Sequence, residues 1–203
     1  AGNMATAIIV GLLASGETQA NDIFVSRRNL QELVAFTEKY NINPYSTNEE
    51  LVKGVDIVIL AVKPNGIAGV LQPLQESLQK HKPVIVSIAA GVTLEVLEEY
   101  VGVEDLELIR VMPNVNAVVK ESISALCHNI FTTVETKQKV LSIFSSIGVA
   151  MEVEEQYFQI FAAIGGSAPA YAYLFIDSLA RGAVKNGMPK DLATKIAAQA
   201  VLG

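Results

Sequence analysis

Three nearly continuous apolar runs constrain this chain more than any other feature: "VDIVILAVKP" (55–64), "KPVIVSIAAG" (82–91) and "LELIRVMPN" (106–114). Strands that are apolar on both faces must be covered on both faces, and a parallel sheet does this by packing helices above and below it. The intervening segments 65–80 and 93–101 read as those helices. Upstream, "DIFVS" (22–26) is a short β-rich run. "NLQELVAFTEKYN" (29–41) is amphipathic, with Leu30, Leu33, Val34, Phe36 and Tyr40 apolar and Asn41 placed to end it. Residues 3–15 carry Met4, Ile8, Ile9, Leu12 and Leu13 at helical spacing before Gly16. After "SISALCHN" (122–129), a helix is predicted over 132–148, capped by Thr132 or Thr133 and ended by Gly148. "VAMEVEE" (149–155) reads as a last strand.

From about residue 153 the pattern changes. The remainder reads as a helix, the break "GGSAP", a long helix from about Ala168 to Asn186, then "NGMP" and another helix. The long helix is small or apolar almost all round, including Leu174, Phe175, Ile176, Leu179 and Val184. Such a helix is buried on most sides, and few residues remain to bury it. A partner subunit, further chain beyond residue 203, or both are expected. The predicted fold class is α/β, a Rossmann-type doubly wound parallel sheet followed by an all-helical dimerisation domain. The predicted domains are a dinucleotide-binding domain over 1–152 and an incomplete helical domain over 153–203.

The bulk properties exclude several classes. Net charge is −6 and pI about 5.0, which argues against nucleic acid as a partner. Mean hydropathy is +0.37, yet no uninterrupted apolar run approaches the ~18–20 residues that span a bilayer, so no membrane partner is expected. The single Cys127 cannot form an intrachain disulfide, which suits a reducing compartment, the cytoplasm. No Cys/His cluster has metal-ligand spacing, and no metal is expected. Cys127 follows the apolar "ISAL" and is read as buried, while His81 and His128 are read as surface loop residues.

The opening "AGNMA" matches the second half of a G-x-G-x-x-G/A turn. Gly2 would be the second glycine and Ala5 the third small position, with the first glycine and its strand upstream of residue 1. Gly2 lets backbone approach a pyrophosphate, and the first helical N–H groups favour its charge. An ordinary helix start beside a glycine reads the same way. The strand over 22–26 ends in Ser26, Arg27 and Arg28, without an acid at its tip. Two guanidinium groups suit a 2′-phosphate, favouring NADPH over NADH, although a solvated basic turn is the other reading.

"AGNMA" (1–5), "AVKP" (61–64), "SIAAG" (87–91), "RVMPN" (110–114) and "GGSAPAY" (165–171) occur in order. Together they resemble the pyrroline-5-carboxylate reductase family across essentially the whole chain. The resemblance implies reduction of 1-pyrroline-5-carboxylate to proline with NADPH, or NADH as the alternative. It implies a Rossmann domain and a helical domain that interlocks two subunits, with higher assembly of dimers in some cases. It places Gly2, Asn3 and Met4 at the pyrophosphate, Ser26 and Arg27 at the 2′-phosphate, and Asn48 at the adenosine. Ala61, Val62, Lys63 and Pro64 would face the ribose and nicotinamide, and Ala89, Ala90, Met112, Pro113 and Asn114 the nicotinamide end. The chain departs from the family pattern at Asn116, where proline is usual, and at Lys120 and Ser122, where small turn residues are usual. Ala168 stands where glycine is usual. The family's substrate-carboxylate loop, of Ser-Pro-Gly-Gly-Thr-Thr type, would lie beyond residue 203.

Such a reaction asks little of side chains, because a protonated imine is already an electrophile; the protein aligns the partners. Lys63 is a substrate-side candidate, read as packing its stem near the cofactor with its amine in water. Ser167 is the other, expected to cap the long helix with Pro169 in the first turn and to turn the helix's amino end toward substrate. Tyr171 and Tyr173 are read as core or interface residues. Two alternatives stand: a related reductase such as a 3-hydroxyacid dehydrogenase, for which Lys185 is the one lysine in the long helix, and a non-catalytic nucleotide-binding paralogue.

Overall fold

A computed structural model describes residues 2–203. The chain divides into two units, Ala1–Gln159 and Ile160–Gly203. The division expected after residue 152 falls at the end of the last strand; residues 153–159 pack with the first unit through Glu155 and Phe158.

In the first unit, α1 (Asn3–Ser15) leads to β1 (Phe24–Val25), α2 (Leu30–Tyr40), β2 (Asn43–Pro44) and α3 (Asn48–Lys53). Then follow β3 (Ile57–Leu60), α4 (Ile67–Leu71), α5 (Gln75–His81), β4 (Val84–Ser87) and α6 (Leu94–Val101). The unit closes with β5 (Leu108–Met112), β6 (Ser122–His128), α7 (Val134–Ser145) and β7 (Gly148–Glu152). Strands β1 and β2 pair in parallel, and a five-stranded sheet runs in the order β3-β4-β5-β6-β7.

Every pairing in the larger sheet is parallel except β5 with β6, which is antiparallel, with Arg110 opposite Cys127. The sheet is thus parallel-dominated, as the sequence predicts, with one reversal that hydrophobicity alone does not mark. The link 113–121 is too short for a crossover helix, so the chain must double back. The apolar runs behave as their composition demands: all four residues of β4 are buried. One core joins Ile8 and Leu12 of α1, Val25 of β1, Val86 of β4, Ile109 of β5 and Phe144 of α7. Gly11 lets α1 approach closely, since a Cβ there would meet Ile147 and the Ser146 carbonyl.

Several helix ends follow their caps. Asn29, Thr47, Thr93 and Thr133 each accept a hydrogen bond from a backbone N–H three residues on, and Asn41 takes the left-handed conformation that ends α2. The single helix expected over 65–80 is split into α4 and α5 around Pro73, which lacks an N–H to continue the ladder. Gly148 does not end α7; Ser146 does, and Gly148 opens β7.

The helical unit follows from α8 (Phe158–Phe161) through a π-helical turn, Ala162–Gly166, into α9 (Ala168–Lys185) and α10 (Lys190–Leu202). "GGSAP" therefore tightens no break; the backbone stays helical through it. Ala180 of α9 packs against Ala193 and Ala197 of α10, flanked by Ile176, Ala183 and Met188. On the opposite side of α9, Tyr171, Leu174 and Phe175 are each more than half exposed. By length and composition alone the helical stretch Glu155–Lys185 is long and apolar enough to cross a membrane, although polar residues interrupt its apolar runs.

Candidate functional site

The carboxyl ends of the parallel strands β3, β4 and β5 share one edge of the sheet, and three of the sequence-predicted segments lie there. Ala61, Val62, Lys63 and Pro64 follow β3, Ala89 and Ala90 follow β4, and Met112 ends β5 before Pro113 and Asn114. Lys63 is exposed at the start of a 3-10 turn with Pro64 in its first position. Ala89 is buried, and its N–H donates to the Ser87 hydroxyl at 3.3 Å. The Asn114 N–H donates to the Ser122 hydroxyl at 3.2 Å, and its side chain accepts from the Asn116 N–H at 3.1 Å. Ser122 and Asn116, departures from the family pattern, thus stabilise the turn that carries Asn114. The 3-10 turn Val115–Val119 that follows packs against α1.

At the head of α1, Gly2 is the N-cap with extended backbone, and a Cβ placed there would meet nothing within 4 Å among the described residues. Asn3 and Met4 open the helix. The N–H groups of a first helical turn lack intrahelical acceptors, and α1 has no acidic residue in that turn to oppose an anion. These features fit a diphosphate. Ala1, the remaining residue of the opening turn, lies outside the described residues.

Ser26, Arg27 and Arg28 follow β1, and Asn48 begins α3, just beyond β1's parallel neighbour β2. Arg28 is exposed. Arg27 is engaged: its guanidinium pairs with the Glu32 carboxylate and donates to the Glu32 carbonyl at 3.4 Å. Among the described residues the β1–β2 ribbon shares no ladder with the larger sheet, so packing of Val25 and Ile42 in the common core places these residues.

Ser167 occupies the N-cap position of α9 with Pro169 in the first turn, as expected, but its side chain makes no capping hydrogen bond. It has right-handed helical backbone. Its N–H and its hydroxyl both donate to the Ala162 carbonyl, at 2.9 and 3.1 Å. The π turn carries the helix through this point, so there is no free amino end for Ser167 to present. Lys185 is exposed in the last turn of α9.

Three further groups were not picked out from the sequence. Arg110 is buried, donates to Glu155 at 2.9 Å and lies 4.5 Å from the centroid of the Phe158 ring. Glu155 also accepts from the Leu94 N–H at 2.8 Å, closing the amino end of α6. On the other side of β6, Glu152 takes Lys137 at 2.8 Å and His128 at 3.2 Å. The Lys137 hydrogen bond chiefly holds the Glu152 carboxyl below its ordinary range, with His128 adding to it. His128 thus sits half-buried at the end of β6, and His81 in the last turn of α5, neither in a loop. A groove of about 720 Å³ lined by Cys127, His128, Glu152 and Glu155 includes none of the sequence-predicted site residues. Cys127 is buried as expected.

The comparisons bear on this arrangement. A family model described as "NADP oxidoreductase coenzyme F420-dependent" matches residues 1–91, and one described as "Pyrroline-5-carboxylate reductase dimerisation" matches 155–203. The pyrroline-5-carboxylate reductase of Escherichia coli is 38% identical over 202 residues, covering 100% of this chain and 74% of that protein. The chain belongs to the pyrroline-5-carboxylate reductase family. The Coxiella burnetii family member superposes with a TM-score of 0.92 at 34% identity, covering 100% of this chain and 74% of that one. A Plasmodium falciparum pyrroline carboxylate reductase solved with NADP bound gives 0.88 at 31%, covering 100% and 73%.

Proposed function

We propose that this protein reduces 1-pyrroline-5-carboxylate to proline with NADPH, with NADH as the alternative donor. The observation that carries the reading is identity of 38% to the Escherichia coli reductase along the whole of this chain. The bound cofactor supplies a hydride for the C=N carbon of the cyclic imine. The residues then have positioning roles. The head of α1, at Gly2, Asn3 and Met4, holds the diphosphate through its N–H groups and helix dipole. Ser26 and Arg27, with Arg28 beside them, hold the 2′-phosphate, and Asn48 borders the adenosine. The strand-end segments 61–64, 89–90 and 112–114 form the shelf for the nicotinamide end. Lys63 contributes its aliphatic stem there while its amine stays in water. No side chain need move a proton at the attacked carbon.

Self-association belongs to the same reading. The exposed stripe of α9, Tyr171, Leu174 and Phe175, lies within the matched dimerisation segment and suits a second copy of the chain. A cytoplasmic location is supported by the lone, buried Cys127.

The test is oxidation of NADPH, followed at 340 nm, by the full gene product on addition of 1-pyrroline-5-carboxylate, with proline identified as product. Binding of NADPH without its oxidation by this imine would overturn the enzymatic reading and favour the nucleotide-binding paralogue.

A further inference from the structure

The pairing of Arg27 with Glu32 bears directly on cofactor choice. Glu32 lies in the first turn of α2, where its N–H donates to the Asn29 side chain at 3.2 Å. Its carboxylate receives two donors, the Arg27 guanidinium and the Asn29 amide, the latter at 3.1 Å. Both donors stand at the carboxyl end of β1 and the amino end of α2, where the proposed function puts a 2′-phosphate. The Arg27 side chain is 25% exposed and the Glu32 side chain 56%, so the carboxylate is the outer partner of the pair.

We propose that Glu32 sets cofactor specificity: its carboxylate occupies Arg27 as an internal anion that the 2′-phosphate of NADPH must displace. The inference rests on the proposed function. A phosphate carries up to two charges and three strong acceptors against one charge on a carboxylate. It therefore wins Arg27, but only after breaking the existing pair. NADH has no such group and leaves the pair intact. Glu32 thus restrains the preference for NADPH without abolishing it, and the chain keeps access to both donors.

Glu32→Gln tests this, because glutamine keeps an acceptor for Asn29 while removing the charge that holds Arg27. Glu38→Gln, an exposed change farther along the same helix, controls for loss of one negative charge. Dissociation constants are measured by nicotinamide fluorescence for NADPH and NADH, and by calorimetry for 2′,5′-ADP and 5′-ADP. Exposed ion pairs are worth little, so NADPH and 2′,5′-ADP should bind about two- to fivefold more tightly to the Glu32 variant. NADH and 5′-ADP should change by less than about twofold, and Glu38→Gln should reproduce neither gain. Weaker or unchanged NADPH binding to the Glu32 variant would overturn the proposal, since Glu32 would then be holding Arg27 in place for the phosphate. An equal gain in Glu38→Gln would also overturn it. Arg27→Ala separates the underlying reading: if 2′,5′-ADP binding ignores that change, the 2′-phosphate does not sit at Arg27 at all.

Discussion

Arg110 of β5 and Glu155, which opens the chain after β7, form an ion pair of 2.9 Å. The Arg110 side chain is only 6% exposed, and its Nε has no hydrogen-bond partner among the described residues. The Phe158 ring covers the guanidinium. Because the same carboxylate closes the amino end of α6, one side chain ties β5 and α6 to the last segment of the first unit. Removing Glu155 leaves a desolvated cation, and truncating one partner of such a pair is far more costly than replacing both. Glu155→Ala should lower unfolding stability by about 2–4 kcal/mol in urea titrations. The double variant Arg110→Met with Glu155→Leu should lose distinctly less. Equal losses in the two would show that the charge pairing is not what matters.

Cys127 faces Arg110 across the β5–β6 ladder. Burial, chiefly, and the nearby Glu155 charge push its thiol up from 9.0 to about 12, against an opposing effect of Arg110. The folded thiol therefore keeps its proton where the unfolded one loses it. The resulting stabilisation is intact below about pH 9 and declines as pH rises from there toward 12. Cys127→Ala should flatten that alkaline decline relative to the parent protein. At pH 8, a thiol reagent should label Cys127 only as fast as the protein opens; rapid labelling of the folded protein would contradict the assigned burial.

The alternation of strands and helices was legible because β3, β4 and β5 are apolar enough to leave no other reading. The reversal at β6 was carried by the short link 113–121, a signal of length rather than of hydrophobicity. Helix α3 escaped notice because it is six residues long and buries only Val52. The π turn at Ala162–Gly166 was not legible, since two glycines before a serine and a proline read equally as a stop. Strand ends and the glycine turn could be located along the sequence, because backbone geometry dictates them. The partners of the charged groups could not: Glu32 lies five residues from Arg27, off the usual helical spacing, and Glu155 lies 45 from Arg110.

Two positions of opposite character lie at the amino end of β6: Lys120 in the turn before it and Gly148, which pairs with Ser122 from β7. Lys120 has φ 62°, a left-handed conformation that costs a side-chain-bearing residue, and it is exposed. Lys120→Gly should stabilise the protein by about 0.5–1 kcal/mol, the relief of strain exceeding the added entropy of the unfolded chain. Gly148 has φ 144°, and a Cβ there would strike the backbone of Ser122 on the neighbouring strand. Gly148→Ala should destabilise by about 2–4 kcal/mol. Denaturation midpoints of the two variants should move in opposite directions. A loss of stability in Lys120→Gly would mean that the lysine side chain makes contacts worth more than the strain.

The stripe of α9 that faces away from α10 makes the most direct test of self-association. Leu174 is 66% exposed and Phe175 57% exposed, on a helix whose other side already packs Ala180 against Ala193. Apolar side chains held out in this way have burial energy of about 1.5–3 kcal/mol each to gain from a partner. A glutamate in place of Leu174 would instead have to be desolvated in the same contact. Leu174→Glu should therefore weaken association by about a hundredfold or more, seen as a shift from dimer to monomer in sedimentation equilibrium. Its circular dichroism should match the parent's, because Leu174 supports nothing in the α9–α10 core. A variant that sediments as the parent does would show that this stripe does not carry association. A variant that loses its helical signal would mean that the exposed stripe is needed for the fold of this unit as well as for its pairing.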